Sequence, residues 1–239
     1  MSLKPSWKPS EKIIEQSNIF KMMQQKGFDN YQDFWKWSIS HKKDFWEATL
    51  VNLGIKLHKK YSAIVDTSKG VENAEWLKNA QLNIVDSCFQ NNSDATAIIF
   101  QEEGKSLQKI TQKQLLSLVN RVANGLNDLG LKEGDRIAID LPMTVEAIAI
   151  YLAAIKAGMP VVTVADSFTQ NEIAVRLKIT NPKVIFTQDV LKRAGKQLPL
   201  YEKVIAANTP KAVVLKVSNA PVLLRKEDVY WNDFLSSKT

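Results

Sequence analysis

The stretch beginning at residue 133, EGDRIAIDLPMTVEAIAIYLAAIKAGMPVVTVADSF, constrains the fold more than any other part of the chain. RIAID at 136–140 reads as a strand, and Pro142 suits the first turn of a helix, where its missing N–H would have no partner anyway. Val145, Ile148, Ala149, Leu152 and Ile155 recur at helical spacing, and Gly158 ends the helix before the strand PVVTVA. That second strand is apolar at nearly every position, the pattern of a strand covered on both faces of a parallel sheet. Strand, helix and strand in this order predict a βαβ crossover.

The alternation continues on both sides. ATAIIF (95–100) and KSLQKI pair as a hairpin around Gly104. Thr111 and Gln114 then form a capping box. The helix they open carries Leu115, Leu118, Val119, Val122, Leu126 and Leu129 on one face and stops at Gly130. Thr169 and Glu172 make a second capping box; that helix runs to about Thr180, where Asn181 and Pro182 break it before the strand KVIFT. A helix around Tyr201 to Ala207 and the strand AVVLKV follow, and DVYWNDFLSSKT reads as a short amphipathic piece. The predicted class is α/β, a parallel or mixed sheet with βαβ crossovers.

The first 92 residues differ in texture. They hold five of the six tryptophans, Trp7, Trp35, Trp37, Trp46 and Trp76. In NYQDFWKWSISHKKDFWEATLVNLGI the aromatics recur at helical spacing, which predicts two short amphipathic helices, the second closed by Gly54, with the aromatic stripe serving as packing. The expected domains are therefore a helical, Trp-rich extension over 1–92 and an α/β domain over 93–239.

Composition excludes some classes of function. The net charge of +7 favours anionic partners, but the basic residues are scattered in pairs such as Lys42 and Lys43, which points to a solvated surface rather than a nucleic-acid site. No apolar run reaches the roughly 20 residues a spanning helix needs. MSLKPSWKPSEK has no apolar stretch of signal-peptide type, so a cytoplasmic or organelle-matrix location is the default. The single cysteine, Cys88, cannot form an internal disulfide and reads as a small buried hydrophobe. His41 and His58, each beside lysine, read as surface residues.

Chemistry in such a sheet gathers at the carboxyl ends of its strands. After PVVTV, Asp166 and Ser167 either cap the next helix or touch a ligand hydroxyl. After KVIFT, the segment TQDVLKRAGK places Lys192, Arg193 and Lys196 around Gly195, a set that suits a phosphate and equally reads as an exposed basic turn. There is no Walker loop, no G-x-G-x-x-G, no H-E-x-x-H and no G-x-S-x-G elbow, so no self-sufficient catalytic constellation is visible.

DFWKWS, EWLKNAQLN, LVNRVANGLNDLG, GLKEGDRIAIDLPMTVEAIAIYLAAIKAGMPVV and RLKITNPKVIFTQD together resemble the amino-terminal part of AMP-forming acyl-CoA synthetases. The likeness runs from about residue 30 onward and is nearest to the acetyl-CoA synthetase group, in particular its acyl-activating-enzyme branch known from plant peroxisomes. It implies the first subdomain of the AMP-binding enzyme fold and a ligase reaction with ATP, Mg²⁺ and CoA. A small carboxylic acid attacks the α-phosphate of ATP to give an acyl-adenylate and pyrophosphate; CoA then displaces AMP. By position, the resemblance puts Arg193 and Lys196 near the 3′-phosphate-bearing ADP portion of CoA. Where many relatives have Phe-Gly-Gly near CoA this chain has Ala165-Asp166-Ser167, and an aspartate repels a pyrophosphate. The family's nucleotide loop, acyl pocket and C-terminal domain would lie beyond Thr239, so the chain is expected to be a truncated piece, inactive alone and completed by the remainder of the synthetase. The resemblance adds a peroxisomal location as an alternative, while the scattered charge and the short apolar runs argue against nucleic-acid and membrane partners. A non-catalytic CoA- or nucleotide-binding or interaction module is the rival reading.

Overall fold

The computed structural model describes residues 5–90 and 92–238, and the chain divides into two units, one through Leu82 and one from Asn83.

The first unit begins with four helices, α1 (Glu11–Gln16), α2 (Asn18–Lys26), α3 (Tyr31–Ser40) and α4 (Lys42–Asn52). Gly27 closes α2 in the left-handed region at φ 74°, where a side chain would be strained. Met22, Met23 and Phe34 form the small core, and Phe28, Trp37 and Phe45 pack around it. Only part of the aromatic stripe packs here: Phe34, Trp37 and Phe45 do, whereas Tyr31, Trp35 and Trp46 are exposed; Phe28 meets Phe34 edge to face with ring centres 5.9 Å apart. A hairpin that the sequence reading lacks follows, β1 (Ala63–Asp66) against β2 (Glu75–Lys78), with Val65 opposite Trp76.

The second unit opens with α5 (Ile84–Cys88), the hairpin β3 (Thr96–Phe100) and β4 (Gln108–Thr111), and α6 (Gln112–Asp128). The remaining elements are β5 (Ile137–Asp140), α7 (Val145–Lys156), β6 (Val161–Val164), α8 (Gln170–Thr180), β7 (Val184–Gln188), β8 (Val190–Arg193), β9 (Lys196–Pro199), α9 (Tyr201–Ala206), β10 (Lys211–Leu215), β11 (Val229–Tyr230) and α10 (Trp231–Phe234). Five strands form one parallel sheet in the order β11-β10-β7-β5-β6. Leu115, Val119, Val122 and Leu126 of α6 and Ala149, Ile150, Ala153 and Ala154 of α7 share one core with Ile137, Ile139, Phe186 and Val213 of the sheet. Ile173 and Leu177 of α8 and Tyr201 and Val204 of α9 share the other with Ala138, Ile185 and Val214. Both sequence-read capping boxes form, Thr111 with Gln114 and Thr169 with Glu172.

The opening stretch is the parallel βαβ unit β5-α7-β6, with three differences from its sequence reading. Pro142 precedes the helix instead of starting it, because Thr144 is the N-cap and accepts the Ala147 N–H at 3.2 Å. The buried positions are Val145, Ala149, Ile150, Ala153 and Ala154, a face rotated from the expected one, because α7 packs on α6 as well as on the sheet. Strand β6 is not covered on both faces: it is an edge of this sheet, and Thr163 is exposed. Cys88 is exposed as well, at the end of α5, rather than buried.

Candidate functional site

The carboxyl ends of β5, β6, β7 and β10 all lie at one rim of the sheet, since the strands are parallel. At that rim β7 leads through Asp189 into the hairpin β8–β9, which carries the basic residues. Arg193 and Lys196 face each other across its two-residue turn, where Ala194 and Gly195 have φ 51° and 73°. Two positive φ values are what the right-handed twist of a tight hairpin requires, so the turn is left-handed at both positions although one of them is alanine. Arg193 and Lys196 are a directly opposed like-charge pair on one face, an arrangement that by itself costs stability.

The structure brings Asp166 to this pair. Its Oδ2 accepts a hydrogen bond from an Arg193 terminal nitrogen at 2.8 Å, with the arginine side chain about half exposed and the aspartate largely covered. The loop holding Asp166 is fixed from behind. Lys203 Nζ donates to the carbonyls of Asp166 at 2.7 Å and Phe168 at 3.0 Å, the Phe168 N–H returns to Ala165 O at 2.9 Å, and the Arg176 guanidinium lies 3.9 Å from the Phe168 ring centre. Neither Asp166 nor Ser167 caps α8, because Thr169 does. Ser167 is exposed on the same loop. Lys192 alternates to the other face of the hairpin, as strand geometry requires, and its Nζ donates to Val217 O at 3.3 Å. Of the five candidates, Arg193, Lys196 and Asp166 are thus gathered at one spot, Ser167 lies on the loop beside it, and Lys192 looks elsewhere.

Four residues that the sequence reading passed over shape this rim. Asp189 anchors the hairpin: its carboxylate accepts from the Val190 and Val217 N–H groups at 2.8 Å each, from the Ser218 N–H at 2.9 Å and from the Ser218 hydroxyl at 2.6 Å. Burial pushes its carboxyl up, but these four donors outweigh burial and hold it below the usual aspartate range. Glu103, on the β3–β4 loop, accepts the Gly195 N–H at 2.7 Å. Asp140, at the end of β5, is fully buried with neither oxygen bonded, and Thr187 on β7 is buried with its hydroxyl unpaired. Burial pushes Asp140 up to about 7, with Lys203 opposing the shift and Asp166 adding to it. An acid ending an apolar strand, as in RIAID, is the one signal the sequence offered for this residue.

Lys192 faces an open cleft of about 1200 Å³, walled by the β3–β4 loop, the α7 entry and α10, and lined among others by Met143, Gln188, Leu191, Val217 and Trp231. Among the described residues no group of three His, Cys, Asp or Glu side chains is placed to hold a metal ion, and no helix is long and apolar enough to cross a membrane.

In open parallel α/β sheets ligands bind outside the carboxyl ends of the strands, and here that rim carries the basic hairpin. The family model for AMP-binding enzymes matches residues 85–236, and the model for the acetyl-coenzyme A synthetase N-terminus matches residues 31–88. The chain belongs to the AMP-binding enzyme family. It is 37% identical to "Probable acyl-activating enzyme 18, peroxisomal" of Arabidopsis thaliana over 97% of this chain and 34% of that protein. It is 33% identical to the hexanoyl-CoA synthase of Cannabis sativa over 97% of this chain and 35% of that protein. Acetoacetyl-CoA synthetase from Streptomyces lividans shares the fold at a TM-score of 0.89 with 20% identity, over 99% of this chain and 38% of that one. The chain spans about a third of the length of these relatives and corresponds to their N-terminal portion.

Proposed function

We propose that the chain forms the CoA-phosphate rim of an ATP-dependent acyl-CoA synthetase, which joins a small carboxylic acid to CoA through an acyl-adenylate. The observation that carries this reading is the Arg193–Lys196 cross-strand pair at the rim of an AMP-binding fold. In this role Arg193 grips the 3′-phosphate of CoA through two N–H groups, and Lys196 adds a point charge from the opposite strand. Asp166 and Ser167 border the same ligand, whereas Lys192 faces the cleft on the other side of the hairpin. ATP, when bound, supplies the leaving group that activates the acid, with Mg²⁺ assisting. That chemistry is assigned to the remainder of the synthetase chain, and residues 1–239 alone are inactive in it. Domain by domain, the Trp-rich helical extension over 1–92 precedes the N-terminal part of the acyl-adenylate-forming domain over 93–239. The location we propose is the cytoplasm, with the peroxisome as the alternative that the names of two Arabidopsis relatives support.

Calorimetric titration of the 239-residue chain with CoA and with ATP, separately, tests the assignment. Arg193→Ala is expected to weaken CoA binding about tenfold, in line with loss of a charge-assisted pair, and to leave any ATP heat unchanged. Equal CoA affinity in both proteins contradicts it. Carboxylate-dependent exchange of pyrophosphate into ATP by the 239-residue chain alone would contradict the placement of adenylation elsewhere.

A further inference from the structure

Two carboxylates already occupy the donors at the hairpin tip. Asp166 Oδ2 sits 2.8 Å from an Arg193 terminal nitrogen, and Glu103 Oε1 sits 2.7 Å from the Gly195 N–H. They come from different directions, Asp166 from the loop after β6 and Glu103 from the β3–β4 loop, and they reach two donors only two residues apart. Both are acceptor-only groups when ionised, as a phosphate oxygen is. They are held unequally. The backbone of Asp166 is fixed by Lys203, whose ammonium donates to its carbonyl at 2.7 Å, whereas Glu103 is exposed on a hairpin loop.

We propose that Asp166 and Glu103 are built-in competitors for the anion seat, carboxylates that satisfy Arg193 and the Gly195 N–H in the empty protein and are exchanged for a phosphate of the ligand. This rests on the phosphate-binding reading of Arg193 given above, and it makes Asp166 and Glu103 specificity-determining residues for that reading. A singly charged or neutral ligand gains little by replacing a carboxylate already in place, so exchange favours a doubly charged phosphomonoester that can also engage Lys196. Removing either carboxylate's charge leaves the seat open and lowers the threshold for binding. Asp166→Asn keeps the side-chain size and the Lys203 contact, which goes to the Asp166 backbone, so the loop is retained. Glu103→Gln is an independent second variant on an exposed loop.

The experiment is calorimetric titration with CoA and with dephospho-CoA, which lacks the 3′-phosphate, on wild type, Asp166→Asn, Glu103→Gln and Arg193→Ala. The ratio of the two dissociation constants in each protein reports the phosphomonoester alone. Asp166→Asn is expected to bind CoA about three- to fivefold more tightly than wild type, the size of an exposed ion pair relieved, and Glu103→Gln about twofold. Dephospho-CoA affinity should change less, so the ratio widens. If Arg193→Ala narrows the ratio while neither carboxylate variant widens it, the competition is overturned and the phosphate seat stands. If Arg193→Ala leaves the ratio as in wild type, the phosphate seat itself fails and the competition fails with it.

Discussion

Asp140 and Thr187 lie on adjacent parallel strands, one step beyond the Ile139–Phe186 pair of β5 and β7, both fully excluded from solvent and both with side-chain oxygens that make no hydrogen bond. They are an unpaired polar spot under the rim, on the face of the sheet that α8 and α9 cover. Burial favours the protonated form of this carboxyl, and the consequence is a dependence of stability on pH.

Burial raises Asp140 to about 7, against about 3.9 for an unfolded aspartate. Between those values the folded chain binds a proton that the unfolded chain has lost. The contribution of Asp140 is therefore full below about pH 4, declines as pH rises and levels off above about pH 7. Asp140→Asn keeps the size and removes the titration. Urea midpoints between pH 4.5 and 8.5 should fall with pH in wild type and fall less in the variant, with the variant more stable at pH 8 by as much as about 4 kcal/mol. Parallel curves would contradict the assignment.

Asp189 predicts the opposite sign. Its four donors hold its carboxyl low, so its contribution is present above the ordinary aspartate range and lost as pH falls below it. Asp189→Asn turns an amide toward backbone N–H groups and is expected to cost about 2–4 kcal/mol in urea unfolding at pH 7. Ser218→Ala removes one of the four donors and should cost about 1 kcal/mol. Equal losses for the two variants would show that Asp189 is not the hub of the hairpin base.

Gly125 on α6 tests the packing of α10. In a helix interior alanine is favoured over glycine by about 1 kcal/mol. A Cβ here, however, would meet Phe234 O at 2.6 Å and Phe234 Cζ at 2.9 Å. Gly125→Ala is accordingly expected to destabilise by about 1–3 kcal/mol despite its better helix propensity. A rise in melting temperature would mean that α10 does not rest on α6 as described.

What the sequence made legible follows from burial. Helix α6 was readable because its stripe from Leu115 to Leu126 faces the sheet and its ends carry a capping box and a glycine. The parallel βαβ unit was readable from apolar runs bounded by Gly134 and Gly158. The β8–β9 hairpin was not. Its residues from Lys192 through Pro199 are exposed, so no alternation marks them as strands, and the turn is made by Ala-Gly, a weaker signal than Asn-Gly. The basic residues could be picked out by type, but not their partners. That Arg193 meets Asp166, 27 positions away, and that Glu103 reaches Gly195, 92 positions away, depends on where the loops close over the rim. Pro142 misled for a local reason: Thr144 two residues later is the better cap.

Phosphorus NMR of CoA titrated with the 239-residue chain tests whether Arg193 and Lys196 seat the 3′-phosphate, because the phosphomonoester and the pyrophosphate give separate resonances. The phosphomonoester signal is expected to shift or broaden with wild type and to stay at its free position with the Arg193→Ala/Lys196→Ala double variant. An unperturbed phosphomonoester with wild type, or the same perturbation with the double variant, would contradict it.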